Sequence, residues 1–343
     1  MEIGKYKDDK ILDLKKIYNS QISNERLKYN KNINSVKKNF LLSRFQKSLK
    51  LKELQKEYNS IIRSIKDDLK SKTQSIQQIP IKNIKDIKNK KALLIGINYI
   101  NTSYELNGCI NDVNLIGNYI QNKGFSEITV ITDKTELKPT RYNIISSLEN
   151  FLSNASDNDF LFFHYSGHGS TELDNNYDEK DNQDETIVSS DLFNIKDDEL
   201  SNIIKTNLTS NATLFAIFDS CHSGSILDLK YTFSEMSGKL IINEEQKYDN
   251  IIAMQFIRSA DINPNIIMIS GCKDNQYSLE TLTDKGVGGL MTWAFNDVIT
   301  KKPNLSWKEL YLNIKKLLKN IKAVQIPQLS MGSLIEINDK SIF

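Results

Sequence analysis

Thr213-Leu214-Phe215-Ala216-Ile217-Phe218-Asp219-Ser220-Cys221-His222-Ser223-Gly224-Ser225-Ile226-Leu227-Asp228 is the stretch on which the fold turns. Its apolar run, Leu214 to Phe218, stops at a small polar loop that carries Cys221. A short apolar run bounded by turn residues has the signature of a buried strand. In open α/β sheets, reactive groups gather beyond the carboxyl ends of such strands. One other stretch has the same shape: Phe160-Leu161-Phe162-Phe163 runs into His164-Tyr165-Ser166-Gly167-His168-Gly169. One strand delivers a cysteine and the other a histidine.

Working outward, 92–97, 128–131 and 266–269 are further short apolar strands, and 334–337 a last one. Helical spacing marks 111–123, a segment capped by Thr140, and segments near 197–206, 290–300 and 306–319. Strands alternating with helices predict a mainly parallel sheet covered on both faces. The stretch 230–264 reads as irregular.

Residues 1–70 differ from the rest, with no proline and one glycine, Gly4. Leu51, Leu54, Tyr58, Ile61 and Ile65 recur at helical spacing, so one or two long amphipathic helices are expected, as a hairpin or short coiled coil. The polar stretch 71–90, with Pro80, reads as a linker. Residues 1–90 carry 23 Lys and Arg against 10 Asp and Glu, or +13, within a chain of net charge +2. A basic arm on an acidic body points to self-association through the N-terminal helices, or to an anionic partner for the arm. The cations are spread around the helix in sequence, which argues against nucleic acid or a membrane surface as partner. No apolar run is long enough to span a bilayer, and three cysteines in so long a chain form no disulfide framework. A reducing cytoplasm is the expected compartment.

A thiol needs a base to become a nucleophile near neutral pH. His168 is the expected base, because His222 adjoins Cys221 and neighbouring residues on a loop rarely face each other. The glycines flanking His168 suggest close approach to a substrate, and the 167–169 segment is a candidate oxyanion donor. Cys109 and Cys272 read as small buried apolar residues.

Y-S-G-H-G around His168 and D-S-C-H-S-G around Cys221 resemble the two signatures of metacaspases, caspase-like cysteine peptidases. A-L-L-I-G-I-N-Y (92–99), L-N-G-C-I-N-D-V (106–113), I-S-G-C-K-D-N-Q-Y-S (269–278) and P-Q-L-S (327–330) extend the resemblance over 91–343. It implies a caspase-like α/β sandwich with a mainly parallel six-stranded sheet. It also implies a large-subunit region at 91–229, a connector at 230–264 and a small-subunit region at 265–343. Cys221 would be the nucleophile and His168 the general base. Asp112, Ser166 and Asp219 would line the pocket for the residue before the scissile bond (P1). A carboxylate-lined pocket selects Arg or Lys there. Asp184, Asp197, Asp198 and Asp228 would bind the family's calcium ion, a hard cation suited to oxygen ligands. The connector offers Lys230, Lys239, Lys247 and Arg258 for self-cleavage, as in a zymogen. The alternative is a catalytically weak or inactive caspase-fold scaffold that assembles through its helical arm.

Overall fold

The computed structural model describes residues 2–84, 86–173, 183–236, 239–244, 265–271, 280–283 and 286–338. It consists of two units, Met1–Pro80 and Ile81–Phe343.

The first unit is a helical hairpin of α1 (Glu2–Lys38) and α2 (Arg44–Gln78). Helices of 37 and 35 residues are each about 55 Å long at 1.5 Å per residue. Their seam is aromatic and polar as well as aliphatic. Tyr29 stacks on Tyr58 with ring centroids 4.4 Å apart. The Tyr18 hydroxyl donates to Asp68 and accepts from Lys72 Nζ. Nothing in residues 71–78 breaks a helix, so α2 continues through much of the stretch expected to be a linker.

The second unit contains a three-layer α/β body. Its strands include β1 (Lys90–Gly96), β2 (Phe125–Thr132), β3 (Phe160–Ser166), β4 (Gly169–Leu173), β5 (Gln183–Val188) and β6 (Asn194–Lys196). They continue with β7 (Thr213–Asp219), β8 (Tyr231–Met236), β9 (Lys239–Glu244), β10 (Asn265–Ser270), β11 (Glu280–Thr283), β12 (Gly286–Gly289) and β13 (Gln328–Met331). Its helices are α3 (Cys109–Ile120), α4 (Arg141–Ser153), α5 (Asp197–Asn207), α6 (Leu290–Lys301) and α7 (Trp307–Asn320). The main sheet runs β2-β1-β3-β7-β10-β13-β8-β9. The first five strands are parallel, and β13, β8 and β9 are antiparallel.

The strands alternate their faces as the pleat requires. Leu161, Phe163, Leu214, Ala216 and Phe218 pack in one core with Ile144, Leu148 and Leu200 of α4 and α5. On the other face Phe162 stacks on Phe215 at 5.4 Å, and Phe215 meets Phe295 and Trp307 of α6 and α7.

Two expectations about the sheet need correction. The stretch 230–264 is not irregular throughout. Tyr231, Phe233, Leu240 and Ile242 stand at every second position of their segments, are buried, and add two strands, making eight. The final strand is Gln328–Met331, not 334–337. Gly332 turns the chain off the sheet after its N–H donates to the Ile266 carbonyl. Leu334 and Glu336 then pair with Lys82 instead. Residues 245–264, with Lys247 and Arg258, and residue Cys272 lie outside the described residues. So do residues 174–182.

Some core positions are polar. His164 on β3 is fully buried, its Nε2 2.9 Å from the Thr292 hydroxyl. Burial away from water depresses its pKa to about 3. The folded protein therefore holds a neutral ring, whereas the unfolded chain protonates it below about 6.5. Its contribution is complete above that pH and falls as pH drops toward 3, by about 1.4 kcal/mol per pH unit. His164→Gln keeps a hydrogen-bonding amide but does not titrate. In urea unfolding, wild type should lose stability relative to this variant at about that slope between pH 6 and pH 4. A pH-independent difference would refute the assignment.

Candidate active site

Strand register sets the site. β3 lies between β1 and β7, with Gly96, Ser166 and Asp219 aligned in one row at the carboxyl edge. His168 lies two residues past Ser166, and Cys221 two residues past Asp219. The two motifs thus leave adjacent strands, about 4.8 Å apart, at one level.

The glycines of G-H-G then close the gap. A methyl group on Gly169 would overlap the Cys221 carbonyl oxygen and lie 3.2 Å from the Cys221 amide nitrogen. One on Gly167 would lie 2.6 Å from the Tyr165 hydroxyl and 3.0 Å from that of Tyr99. These glycines are needed for packing within the protein, and neither has a positive φ. After Cys221 the chain turns through the left-handed region at His222 (φ 51°) and again at Asp228 (φ 48°). The first turn gives Cys221 and His222 different backbone conformations.

His168 is held from several sides. Its backbone N–H donates to the Tyr99 hydroxyl at 2.8 Å, and its carbonyl accepts from the Tyr165 hydroxyl at 2.8 Å. Both tyrosines are buried, which raises their pKa and keeps them neutral donors. The imidazole packs against the Tyr99 ring with centroids 4.6 Å apart. Its Nε2 lies 2.8 Å from the Tyr104 carbonyl oxygen. A carbonyl only accepts, so Nε2 carries the proton and Nδ1 is the basic nitrogen of the neutral ring. Sequence reading missed Tyr99, Tyr104 and Tyr165, because Tyr104 acts through its carbonyl and the other two act on backbone.

Asp112, Ser166 and Asp219 converge and are buried. Asp112 stands in the first turn of α3, where the helix dipole favours a carboxylate. Gly96 allows this helix to dock, since a side chain there would come within 2.5 Å of the Cys109 carbonyl. Ser166 Oγ donates to Asp112 Oδ2 at 2.7 Å. The Gly289 N–H donates to both Asp112 oxygens at 3.0 Å, and the Thr292 N–H donates to Asp219 Oδ2 at 2.7 Å. A methyl on Gly289 would overlap Asp219 Oδ2 and lie 2.9 Å from Asp112 Oδ2. The end of β12 thus lies over both carboxylates, a closure that nothing in the sequence announced.

A second acidic group sits beside the site. Asp184, Asp197 and Asp198 bring carboxylate oxygens within 4.8 Å of one another. Burial, then the nearby charge of Asp228, followed by those of Asp198 and Asp184, hold the Asp197 carboxyl well above the usual carboxylate range. All four predicted aspartates therefore belong to one electrostatic group. Lys196, expected in no role, puts its ammonium 2.6 Å from Asp184 Oδ2. Glu185, also unexpected, accepts from Ser225 of the cysteine loop at 2.7 Å, and its N–H donates to Asp197 Oδ2 at 3.2 Å. Through β5, Asp184 pairs with Glu172 on β4, the strand that begins immediately after His168. The acidic group is thereby tied to both motif loops.

Among the described residues, no helix is long and apolar enough to cross a membrane. Residues 90–230 match the family model described as the metacaspase, peptidase C14 domain. The chain is 37% identical over 292 residues to Metacaspase-1 of Schizosaccharomyces pombe, covering 73% of this chain and 68% of the relative. It is 35% identical over 302 residues to Metacaspase-1 of Candida albicans, covering 74% and 67%. Against Metacaspase-1 of Saccharomyces cerevisiae strain S288c the identity is 34% over 293 residues, covering 73% and 68%. The crystal structure of a Geobacter sulfurreducens protein superposes with a TM-score of 0.51 at 23% identity, covering 71% of this chain and 93% of that one, a likeness of fold. With its caspase-like α/β body and these relatives, the chain belongs to the metacaspase family of cysteine peptidases.

Proposed function

We propose that this protein is an endopeptidase that cleaves after Arg or Lys, with Cys221 as nucleophile, His168 as general base and calcium as activator. The observation that carries the reading is the packing of Gly169 against the Cys221 backbone, which sets the two motif loops together. Nδ1 of His168 takes the Cys221 thiol proton as the sulfur attacks the scissile carbonyl carbon. The Gly167 and His168 amides are already engaged, by the Asp219 carbonyl and the Tyr99 hydroxyl. We therefore assign the Gly169 amide to the oxyanion. The tetrahedral intermediate expels the amine, which takes the proton from His168. Water, activated by the same nitrogen, then hydrolyses the thioester.

For the P1 residue, two carboxylates beside one serine hydroxyl suit a guanidinium or ammonium and repel an acidic side chain. Entry of that cation competes with the end of β12 and the first turn of α6, whose Gly289 and Thr292 amides donate to Asp112 and Asp219. The deciding assay compares Arg, Lys and Asp peptides. Arg and Lys peptides should be turned over at least about 100-fold faster than Asp peptides. Equal turnover would sink the pocket assignment.

Asp184, Asp197 and Asp198 fit a calcium ion by donor type and convergence, and Asp228 lies near enough for its charge to act on Asp197. When bound, the ion supplies charge that offsets their mutual repulsion and orders the two loops. Lys196 competes for Asp184, so calcium must displace an ammonium that is already paired. Lys196→Met in a Cys221→Ala background should bind calcium about five-fold more tightly by calorimetry, the worth of a partly exposed ion pair. Unchanged or weaker binding would remove Lys196 from the site. A chelator should abolish wild-type cleavage, and self-cleavage in the connector or at 71–90 should appear only with calcium and Cys221.

A further inference from the structure

The end of the helical hairpin carries features that peptide hydrolysis does not use. Between α1 and α2 the turn at residues 39–43 is fixed by its own polar groups. The Leu41 N–H donates to Asn39 Oδ1 at 3.0 Å. Ser43 Oγ and Gln46 Oε1 reciprocally accept the Gln46 and Ser43 backbone N–H groups at 3.2 and 3.0 Å. Lys47 Nζ donates to the Lys37 carbonyl at 3.0 Å. So well satisfied a turn has no local reason to rearrange and hide its apolar side chains. Yet Phe40 is 91% exposed, Leu41 82% and Phe45 72%.

Charge surrounds this apolar tip. Residues 26–52 hold nine Lys and Arg and no Asp or Glu. In sequence these cations circle the helices, but the antiparallel fold brings the last turns of α1 beside the first turns of α2. Lys37, Lys38, Arg44 and Lys50 are exposed there. Phe40 and Leu41 lie in the turn itself, and Lys37, Lys38 and Arg44 flank it at the helix ends, with Phe45 next to Arg44 in the first turn of α2.

That order matches the depth profile of one partner. An anionic bilayer presents phosphate and carboxylate groups outside and acyl chains beneath. Nucleic acid would engage the cations but gives Phe40 and Leu41 no apolar interior to enter. A second copy would set two strongly basic ends against each other. We propose that the hairpin tip docks on an anionic phospholipid surface, with Phe40, Leu41 and Phe45 entering the acyl boundary and the Lys and Arg residues lying on the headgroups.

The test uses the full chain carrying Cys221→Ala, so that self-cleavage cannot interfere. It is co-sedimented with vesicles of phosphatidylcholine alone, or with about one third phosphatidylserine. Binding should require phosphatidylserine. It should fall at least roughly ten-fold in Phe40→Ser/Leu41→Ser/Phe45→Ser and in Lys37→Glu/Lys38→Glu/Arg44→Glu. These positions are exposed, so circular dichroism should be unchanged. The Phe40→Trp variant should gain blue-shifted emission with anionic vesicles beyond that of its parent. Failure to bind anionic vesicles would overturn the proposal. So would vesicle binding that survives the apolar triple substitution, as expected of a surface for any polyanion such as duplex DNA. A tip substitution that only dissociates a dimer in sedimentation equilibrium would assign the patch to self-association instead.

Discussion

Replacing Cys221 by alanine is expected to reduce cleavage of Arg and Lys peptides by about four orders of magnitude or more, to background. The thiol is the one group in the proposed mechanism that forms a covalent bond, so its removal leaves the pocket and His168 with nothing to activate. Cys109 is buried and cannot substitute. His168→Ala should cost nearly as much. The double variant should cost little more than either single one, because a nucleophile and its base act as a unit. Initial rates with excess calcium measure this. Wild-type protein that is inactive under those conditions, and whose Cys221 resists an arginine chloromethylketone, would favour the scaffold alternative.

The second large effect is expected at a residue with no reactive group. Gly169→Ala places a methyl group into the Cys221 carbonyl, with the carbonyl carbon at 3.0 Å and the amide nitrogen at 3.2 Å. Both obstacles are backbone, so relief requires the histidine and cysteine loops to separate. A misplacement of about 1 Å at a reacting pair costs on the order of 100-fold. We therefore expect kcat/KM to fall at least about 100-fold while the sheet and its circular dichroism persist, since the clash lies beyond the strand ends. Two labelling reactions sharpen the result. Iodoacetamide, which needs only an accessible thiol, should still modify Cys221, whereas a lysine chloromethylketone, which needs the aligned site, should react slowly. Full activity in Gly169→Ala would mean that the loops are not held together by this contact.

These effects differ in how far they were legible beforehand. Cys221 and His168 stood out because two apolar runs ended in short glycine- and serine-rich loops, a pattern that needs no tertiary knowledge. Asp112 did not stand out in that way. It lies 107 positions from Asp219 in the chain and was assigned by resemblance, and only helix docking at Gly96 brings it to Asp219. Gly289, Thr292 and the Tyr104 carbonyl were invisible because they act through backbone groups, which every residue carries. Lys196 was hidden among many lysines until folding put it on Asp184. The missed strands β8 and β9 show the same limit, because short alternating segments at a sheet edge give weak periodicity.

By itself the sequence determined the α/β class, the central parallel strands and their helices, the two motif loops and the helical character of the arm. All of these follow from local periodicity and turn chemistry, which neighbouring residues encode. Only the tertiary structure decided the rest: that Ser166 and Asp219 share one row, that Gly169 rests on Cys221, that β12 covers the two carboxylates, and that cations of both helices flank an exposed Phe40. Each depends on register or docking between segments distant in the chain. Such contacts arise from packing and backbone hydrogen bonding, and residue types within either segment alone do not specify them.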